Sequence, residues 1–215
     1  AGLPAARNAG LAASHGEYVV FLDADDRLLP DALQAGLNSL FLHPEAAYTS
    51  GHFSYSRADG STQKEFAQEP LECPPYEGML RGNYIGMHST VMFRRAIFDA
   101  VGDFDTSLRS CEDYDLCLRI TRRHAVARHD RLVAEYRRHD ASMSIRAGRM
   151  LDTALDVLSA QRPFIRGNGR LIGACQAGIR GFRRDLIRPL LSGILGAMRT
   201  ANWSRLRSPC RACKP

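Results

Sequence analysis

The chain has 215 residues, of which 45% are hydrophobic and 24% are charged, and its formal net charge is +6. These values are normal for a globular protein with a sizeable core, and no apolar run approaches the ~20 residues that a membrane-spanning helix needs. The positive charge belongs to the C-terminal part, because residues 151–215 hold 12 basic and 3 acidic side chains, whereas residues 1–150 hold 17 and 20. Such an arginine-rich segment could bind a nucleic acid or an anionic membrane surface.

The hydrophobic pattern predicts that strands and helices alternate over about the first 140 residues. The predicted elements are a helix over 3–14, a buried strand over 17–23, a helix from Pro30 to His43, a strand over 47–56, a long loop over 57–82, a strand and short helix over 87–102, a helix over 112–123, a strand over 132–139 and basic helices from about 147. This alternation predicts an α/β sheet with at least some parallel strands. In the second helix, Leu33, Leu37 and Leu40 recur at helical spacing, which is the pattern of a buried face.

Three carboxylates follow the first predicted strand within four positions, because "FLDADD" places Asp23, Asp25 and Asp26 at its end. Ligands of open α/β sheets bind beyond the carboxyl ends of the strands, and clustered carboxylates repel one another unless a cation or hydrogen-bond donors compensate. One explanation is a Mg²⁺ or Mn²⁺ ion that is shared with a phosphate-bearing ligand. The other is a solvated turn in which an aspartate, Asp31 among them, caps the helix that begins near Pro30.

Two classes of enzyme carry an acid cluster at this position. Haloacid-dehalogenase-type phosphatases use D-x-D-x-[TV] with the first aspartate as the nucleophile, and the spacing of Asp23 and Asp25 fits. However, Arg27 stands where Thr or Val is expected, and a helix precedes the strand. Nucleotide-sugar glycosyltransferases instead use D-x-D to hold a metal ion, so the surrounding residues must decide between the two classes.

Three segments resemble inverting family-two glycosyltransferases of the GT-A fold. They are "GLPAARNAGLAASHGEYVVFLDADDRLLPDAL", "GDFDTSLRSCEDYDLCLRI" and "YRRHDASMS", in the order and spacing of that family. The resemblance covers roughly residues 2–144. It implies a mixed sheet flanked by helices, with a partial catalytic domain over 1–146 and a basic helical extension over 147–215. The first two strands of the family are missing, so we expect the chain to be a fragment or the product of a truncated reading frame.

The resemblance implies roles for the first two motifs. Asp25 matches the ligand of Mn²⁺ or Mg²⁺, and Asp23 matches the contact to the nucleoside. Asp26 is expected either in the same site or as a turn acid. Arg7 matches a cation that faces the donor nucleotide, with a surface helical arginine as the alternative, and Asn8 beside it is expected to be structural.

The later segments supply the remaining expected residues. Asp113 matches the general base that takes the proton of the acceptor hydroxyl, and Glu112 matches a residue that orients the acceptor. Acidic residues are also favoured at a helix N-terminus for dipole reasons alone, and Asp115 is expected to be solvated. His139 matches a group near the metal or the diphosphate, with Arg137 or Arg138 on phosphate. We expect His88 and Ser89 to line the acceptor pocket.

The expected partners are a nucleotide-sugar donor, most simply a UDP-sugar, and a saccharide or lipid-linked acceptor, whereas nucleic acid is not expected. The segment "DLIRPLLSGILGAMRTANW" is interpreted as a membrane-interface helix, a helix packed on the domain, or a disordered basic end. The expected location is the cytoplasm, at the inner face of the membrane if that helix binds lipid. Cys210 and Cys213 form one C-x-x-C, which indicates free thiols more than a zinc site. A remnant domain that binds sugar nucleotide without catalysis is the non-enzyme alternative.

Overall fold

The computed structural model of the protein describes residues 2–56, 62–68, 72–137 and 147–199. Within these residues the helices are α1 (Leu3–Ala13), α2 (Ala32–Leu42), α3 (Pro75–Arg81), α4 (Ala96–Val101), α5 (Glu112–Thr121), α6 (Ala147–Ser159), α7 (Arg162–Ile165) and α8 (Gly169–Arg199). The strands are β1 (Tyr18–Val20), β2 (Arg27–Leu28), β3 (Ala46–Ser56), β4 (Thr62–Phe66), β5 (Val91–Arg94) and β6 (Ala125–Arg137). A short 3-10 turn over His88–Thr90 precedes β5.

The strands form one mixed sheet in the order β1-β5-β3-β6-β2, with β4 paired to β3. The long central strands β3 and β6 run parallel, whereas the other described pairs are antiparallel. The predicted α/β sheet with some parallel strands is therefore confirmed. Among the described strands, β1 lies at the end of this order and pairs with β5 alone, so its other backbone edge faces the groove beside α1.

Two predicted details of the middle segment are wrong. The predicted loop over 57–82 contains β4 and α3, and α3 starts at Pro75, where proline's fixed φ suits the first helical turn. The last strand starts at Ala125 and not near Leu132. The sequence of these elements shows no clear apolar period. They are ordered by tertiary contacts, because β4 and β6 pair with β3 and α3 packs against α8.

The buried face of α2 also differs from the prediction. Leu40 is fully buried, but Leu33 is 53% exposed and Leu37 is 38% exposed. The helix instead turns its small residues to the sheet. The approach is so close that a Cβ added at Gly36 would lie 2.8 Å from the Met92 side chain. Asp31 stands at the N-cap position of α2, and its carboxylate makes no capping hydrogen bond.

The main core joins the helices of the N-terminal part to those of the C-terminal part. Tyr48, Phe93 and Leu116 belong to the same buried cluster as Leu158 and Ala174. The helix α8 crosses α3 at Gly178, where the backbones touch. The segment over 147–175 therefore packs on the sheet domain. Among the residues that the structure describes, no helix is both long and apolar enough to span a bilayer.

Candidate active site

The acidic loop after β1 turns at the edge of an open groove. Phe21 is buried among Phe93, Phe98 and Phe104, and the chain then turns with a hydrogen bond from Asp26 N–H to the Asp23 carbonyl (3.0 Å). Asp25 is exposed, whereas Asp23 and Asp26 are half-buried. The buried phenylalanine therefore anchors a loop that presents carboxylates to solvent.

The guanidinium of Arg7 lies between the two acidic motifs. Its Nη2 donates to Asp23 Oδ1 and its Nη1 donates to Glu112 Oε1, both at 2.8 Å. Arg7 is only 8% exposed, and the Phe104 ring lies 5.5 Å from its Cζ. The surface-arginine alternative is therefore wrong, and the terminal nitrogens of Arg7 are engaged with carboxylates of the protein itself.

Asn8 holds the same helix in place from the adjacent position. Its amide donates to the Phe104 carbonyl at 2.9 Å, and its Oδ1 accepts from the Phe104 N–H at 3.0 Å. A paired side chain of this kind is a structural anchor between α1 and the segment that leads to α5. The structural role expected for Asn8 agrees with this geometry.

The second acidic pair occupies the first turn of α5. Glu112 is 4% exposed and Asp113 is half-buried, and Asp113 Oδ1 accepts a hydrogen bond from Tyr114 N–H at 2.8 Å. Burial raises the pKa of Asp113, and burial followed by the charge of Asp113 raises the pKa of Glu112. Two neighbouring carboxylates with raised pKa values are suited to proton transfer.

Asp115, in contrast to the prediction, is not a solvated residue. Its Oδ2 accepts a 2.8 Å hydrogen bond from Arg119 Nε, and the exposed fractions of the two side chains are 16% and 19%. Arg119 also donates to the Val101 carbonyl. The pair lies one turn apart on α5, so it braces the helix and lies outside the acidic site.

Asp26 connects the acidic loop to the end of β6. The Arg137 N–H donates to Asp26 Oδ1 at 3.2 Å. Burial, with the charges of Asp25 and Asp23, raises the pKa of Asp26 to about 6 against the lowering effects of Arg137 and Ser89. Burial is the main cause of this raised pKa and the two neighbouring carboxylates add to it, so a cation bound beside them would lower it. His139 and Arg138 lie outside the described residues.

His88 and Ser89 lie in a 3-10 turn and not on the expected strand. Both are buried, and within the described part of the chain His88 Nε2 and Ser89 Oγ lack a hydrogen-bond partner of good geometry. The His88 ring stacks on Phe21 with centroids 5.6 Å apart. Burial, with the nearby charge of Arg7, holds the pKa of His88 well below its ordinary value, so its imidazole is neutral.

A groove of about 670 Å³ runs between α1 and the open edge of β1. Arg7, Asp23, Asp25 and Asp26 lie on its wall, and Tyr136 of β6 completes it. Tyr136 is not among the site residues predicted from the sequence, although its position in the "YRRH" motif could have indicated it. Most of the predicted donor-side residues therefore converge on one concave surface, which Arg7 links to Glu112.

The residues present fit a hard divalent cation that is completed by a ligand's phosphates. Within the described ranges, no three His, Cys, Asp or Glu side chains are arranged to enclose a metal ion. However, Mg²⁺ and Mn²⁺ at substrate phosphates commonly use only one or two protein carboxylates. Asp25 is exposed at the groove beside two further carboxylates, and oxygen donors are the chemistry that such ions prefer.

Comparisons with known sequences identify relatives of this chain. Residues 1–102 match the sequence model of the family described as glycosyl transferase family 2. An uncharacterized glycosyltransferase of Haemophilus influenzae is 30% identical over 125 residues, which are 55% of this chain and 40% of that protein. The O-antigen biosynthesis protein RfbC of Myxococcus xanthus is 27% identical over 149 residues, which are 69% of this chain and 11% of that protein.

The fold is also found among solved structures. The crystal structure of residues 1–349 of S. aureus TarS in complex with UDP-GlcNAc matches with a TM-score of 0.58 at 12% identity. The match covers 86% of this chain and 53% of that one. This likeness shows a shared GT-A fold, in agreement with the predicted fold class.

Proposed function

We propose that this chain transfers a sugar from a nucleotide-diphospho-sugar to an acceptor hydroxyl with inversion, in a reaction that depends on Mn²⁺ or Mg²⁺. The match of residues 1–102 to the sequence model of glycosyl transferase family 2 supports this proposal. The observation that carries the proposal is the ion triad Asp23–Arg7–Glu112. It fixes the donor-side acids and the base-side acids relative to each other. Since the chain spans less than half of the two relatives described above, the activity of the whole protein is part of this proposal.

The proposed chemistry is a single displacement. The carboxylate of Asp113 takes the proton of the acceptor hydroxyl while that oxygen forms a bond to the anomeric carbon. The bond from the anomeric carbon to the diphosphate oxygen breaks at the same time, and nucleoside diphosphate leaves. Burial raises the pKa of Asp113, which makes it a stronger base than an exposed aspartate. Glu112, held by Arg7, orients the acceptor.

The donor would occupy the groove beside β1. Asp23 keeps a third of its side chain exposed while it binds Arg7, so it can contact a nucleoside at the groove. Asp25, with the diphosphate oxygens, would hold the divalent ion. A bound Mn²⁺ or Mg²⁺ neutralises the charge that develops on the departing diphosphate. His88 and Ser89 are buried, and neither His88 Nε2 nor Ser89 Oγ is accessible to an acceptor hydroxyl, so we propose that they support the acceptor side of the site from within the core.

The proposed donor is a UDP-sugar and the proposed acceptor is a saccharide or a lipid-linked saccharide. The choice of UDP follows the UDP-GlcNAc in the TarS structure that shares this fold. The choice of acceptor follows the M. xanthus relative, whose name assigns it to O-antigen biosynthesis.

The experiment that tests the proposal follows UDP release from UDP-GlcNAc with Mn²⁺ and oligosaccharide acceptors. Asp113→Asn should lower the rate by about 100- to 10,000-fold, which is the contribution expected of a general base. Asp25→Ala should lower the rate of UDP release by removing the part of the activity that depends on the metal ion. Asp99→Asn, on the exposed side of α4, is the matched control and should keep the rate. Full activity of both site variants would overturn the proposal.

Two other functions give different results in the same preparation. A folded wild-type chain that binds no UDP with Mn²⁺ in a calorimetric titration would favour a non-catalytic remnant. Phosphate release from p-nitrophenyl phosphate, lost in Asp23→Asn, would favour a phosphatase. The family match over residues 1–102 supports the transferase over both.

A further inference from the structure

The residue before the acidic pair has an unusual backbone conformation. Cys111 has φ 58° and ψ 21°, in the left-handed region, and it is the only described residue other than glycine with a positive φ. A side chain with a Cβ is disfavoured in this region, so such a conformation persists only where the surrounding contacts hold it. Glu112 and Asp113 follow directly, and the direction of their side chains depends on this turn.

The contacts that hold this turn come from α6. The Ser110 hydroxyl donates to Thr153 Oγ1 at 3.0 Å, and the Cys111 thiol donates to the Met150 carbonyl at 3.7 Å. The helix α6 is itself fixed, because Leu151, Ala154 and Leu158 are fully buried. On the opposite side, Arg7 binds Glu112 at 2.8 Å.

We propose that α6 positions the base of the proposed transfer reaction, with Thr153 and Ser110 as positioning residues that hold the left-handed turn at Cys111. This inference rests on the proposed function of Asp113. It gives the first helix of the C-terminal extension a role that its sequence does not reveal. The extension would then affect the transfer step by fixing the backbone turn that precedes Asp113, without contact to the substrate.

The test compares Thr153→Val, which removes the hydroxyl at nearly constant volume, with Thr153→Ser, which keeps it. In the full chain, Thr153→Val should lower kcat for UDP release from UDP-GlcNAc with Mn²⁺ by about five- to tenfold, the effect of one lost hydrogen bond. The KM for UDP-GlcNAc should stay the same, because the donor groove is not touched. Thr153→Ser should restore kcat, and Ser110→Ala should repeat the loss without adding to it in the double variant.

The chain offers a matched control in a second Ser–Thr pair, Ser39 and Thr49, whose hydroxyl oxygens lie 2.7 Å apart between α2 and β3. Thr49→Val should lower the unfolding temperature and leave kcat unchanged. A loss of kcat in Thr49→Val equal to that in Thr153→Val would overturn the positioning role.

Hydrogen exchange separates failure of this inference from failure of the proposed function. The amides of residues 110–115 should exchange about five- to tenfold faster in Thr153→Val than in wild type or Thr49→Val. Unchanged exchange would sink the inference even if the enzyme is active. Faster exchange in a protein whose wild type releases no UDP would keep the structural link and overturn the proposed function.

Discussion

Arg7 donates a 2.8 Å hydrogen bond to Glu112 across 105 positions of the chain, and both side chains are buried. A buried ion pair contributes little net stability when it is intact, but removal of one partner leaves the other charge without compensation. Arg7→Ala should therefore lower the free energy of unfolding by about 3–5 kcal/mol. Urea denaturation at pH 7 measures this loss.

The control for Arg7 is another arginine whose ion pair has nearly the same length. Arg27 binds Glu135 at 2.7 Å, but 62% of the Arg27 side chain is exposed. Water and salt screen such a pair, so Arg27→Ala should have a far smaller effect. If both variants lost equal stability, burial would not be the cause, and the bridging role of Arg7 would be wrong.

Asp113→Asn should increase stability at neutral pH while it removes activity. Burial raises the pKa of Asp113; Asp23 adds to this effect and Arg7 opposes it. A carboxyl whose pKa is higher in the folded state supports folding at low pH, and that support is lost as the pH rises through the folded-state pKa. The amide does not ionise, so the variant should have the higher unfolding temperature at pH 7.

The pH dependence makes this prediction specific. The difference between Asp113→Asn and wild type should shrink as the pH falls towards 3.8, the ordinary value for aspartate. Unfolding temperatures at pH 7, 5 and 4 would measure it. The exposed variant Asp99→Asn should show no such trend. A stability gain that is constant over this pH range would point to packing and not to the charge.

The sequence predicted those parts of the fold that depend on local patterns. Helices form over Leu3–Ala13 and Glu112–Thr121, close to the predicted 3–14 and 112–123, since the first segment is rich in alanine and leucine and the second has apolar residues at helical spacing. A strand precedes the acidic loop as predicted because "YVVF" is β-branched and aromatic, but β1 covers only Tyr18–Val20 and not the predicted 17–23. The donor-side acids Asp23, Asp25 and Asp26 lie on one groove because a single short loop after β1 carries all three.

What the sequence could not show depends on tertiary contacts. The pairing of Arg7 with Glu112 joins residues 105 positions apart, and no local pattern distinguishes it from a cation that faces a ligand. The exposed Leu33 and Leu37 have the same helical spacing as buried leucines, and only the close approach of Gly36 to Met92 reveals the true face. The segment with α3 and β4 has no apolar period that could predict these elements. They form because β4 pairs with β3 and α3 packs against α8.

Removal of divalent metal should weaken the binding of UDP. Asp23, Asp25 and Asp26 accumulate negative charge at the groove, and this charge repels a diphosphate unless a cation lies between them. The Kd for UDP, measured by calorimetry, should rise about tenfold or more when EDTA replaces Mn²⁺, an effect of at least ~1.4 kcal/mol. Asp25→Ala with Mn²⁺ should resemble the metal-free wild type.

Asp31→Ala is the control for that experiment, because Asp31 is exposed at the start of α2 and makes no capping hydrogen bond. Its affinity for UDP should keep the full dependence on Mn²⁺. If EDTA left the wild-type Kd unchanged, Asp25 would not be a metal ligand. In that case the acidic loop would have to bind its ligand through hydroxyl groups of the sugar or ribose.

The contact between α8 and α3 should depend on the absence of a side chain at Gly178. A Cβ there would overlap the Leu80 carbonyl oxygen, and two backbones in contact cannot yield as a flexible side chain can. Gly178→Ala should therefore lower the free energy of unfolding by about 1–3 kcal/mol, the usual effect of overpacking.

The control is Gly173, also in α8, which has open space around its Cβ position. Gly173→Ala should be neutral or stabilise by up to about 1 kcal/mol, because alanine favours helices. Thermal unfolding of the two variants separates these effects, and because the C-terminal helices share the main core, the loss in Gly178→Ala should appear as a lower midpoint of one transition. Equal midpoints for the two variants would contradict the close packing of α8 on α3.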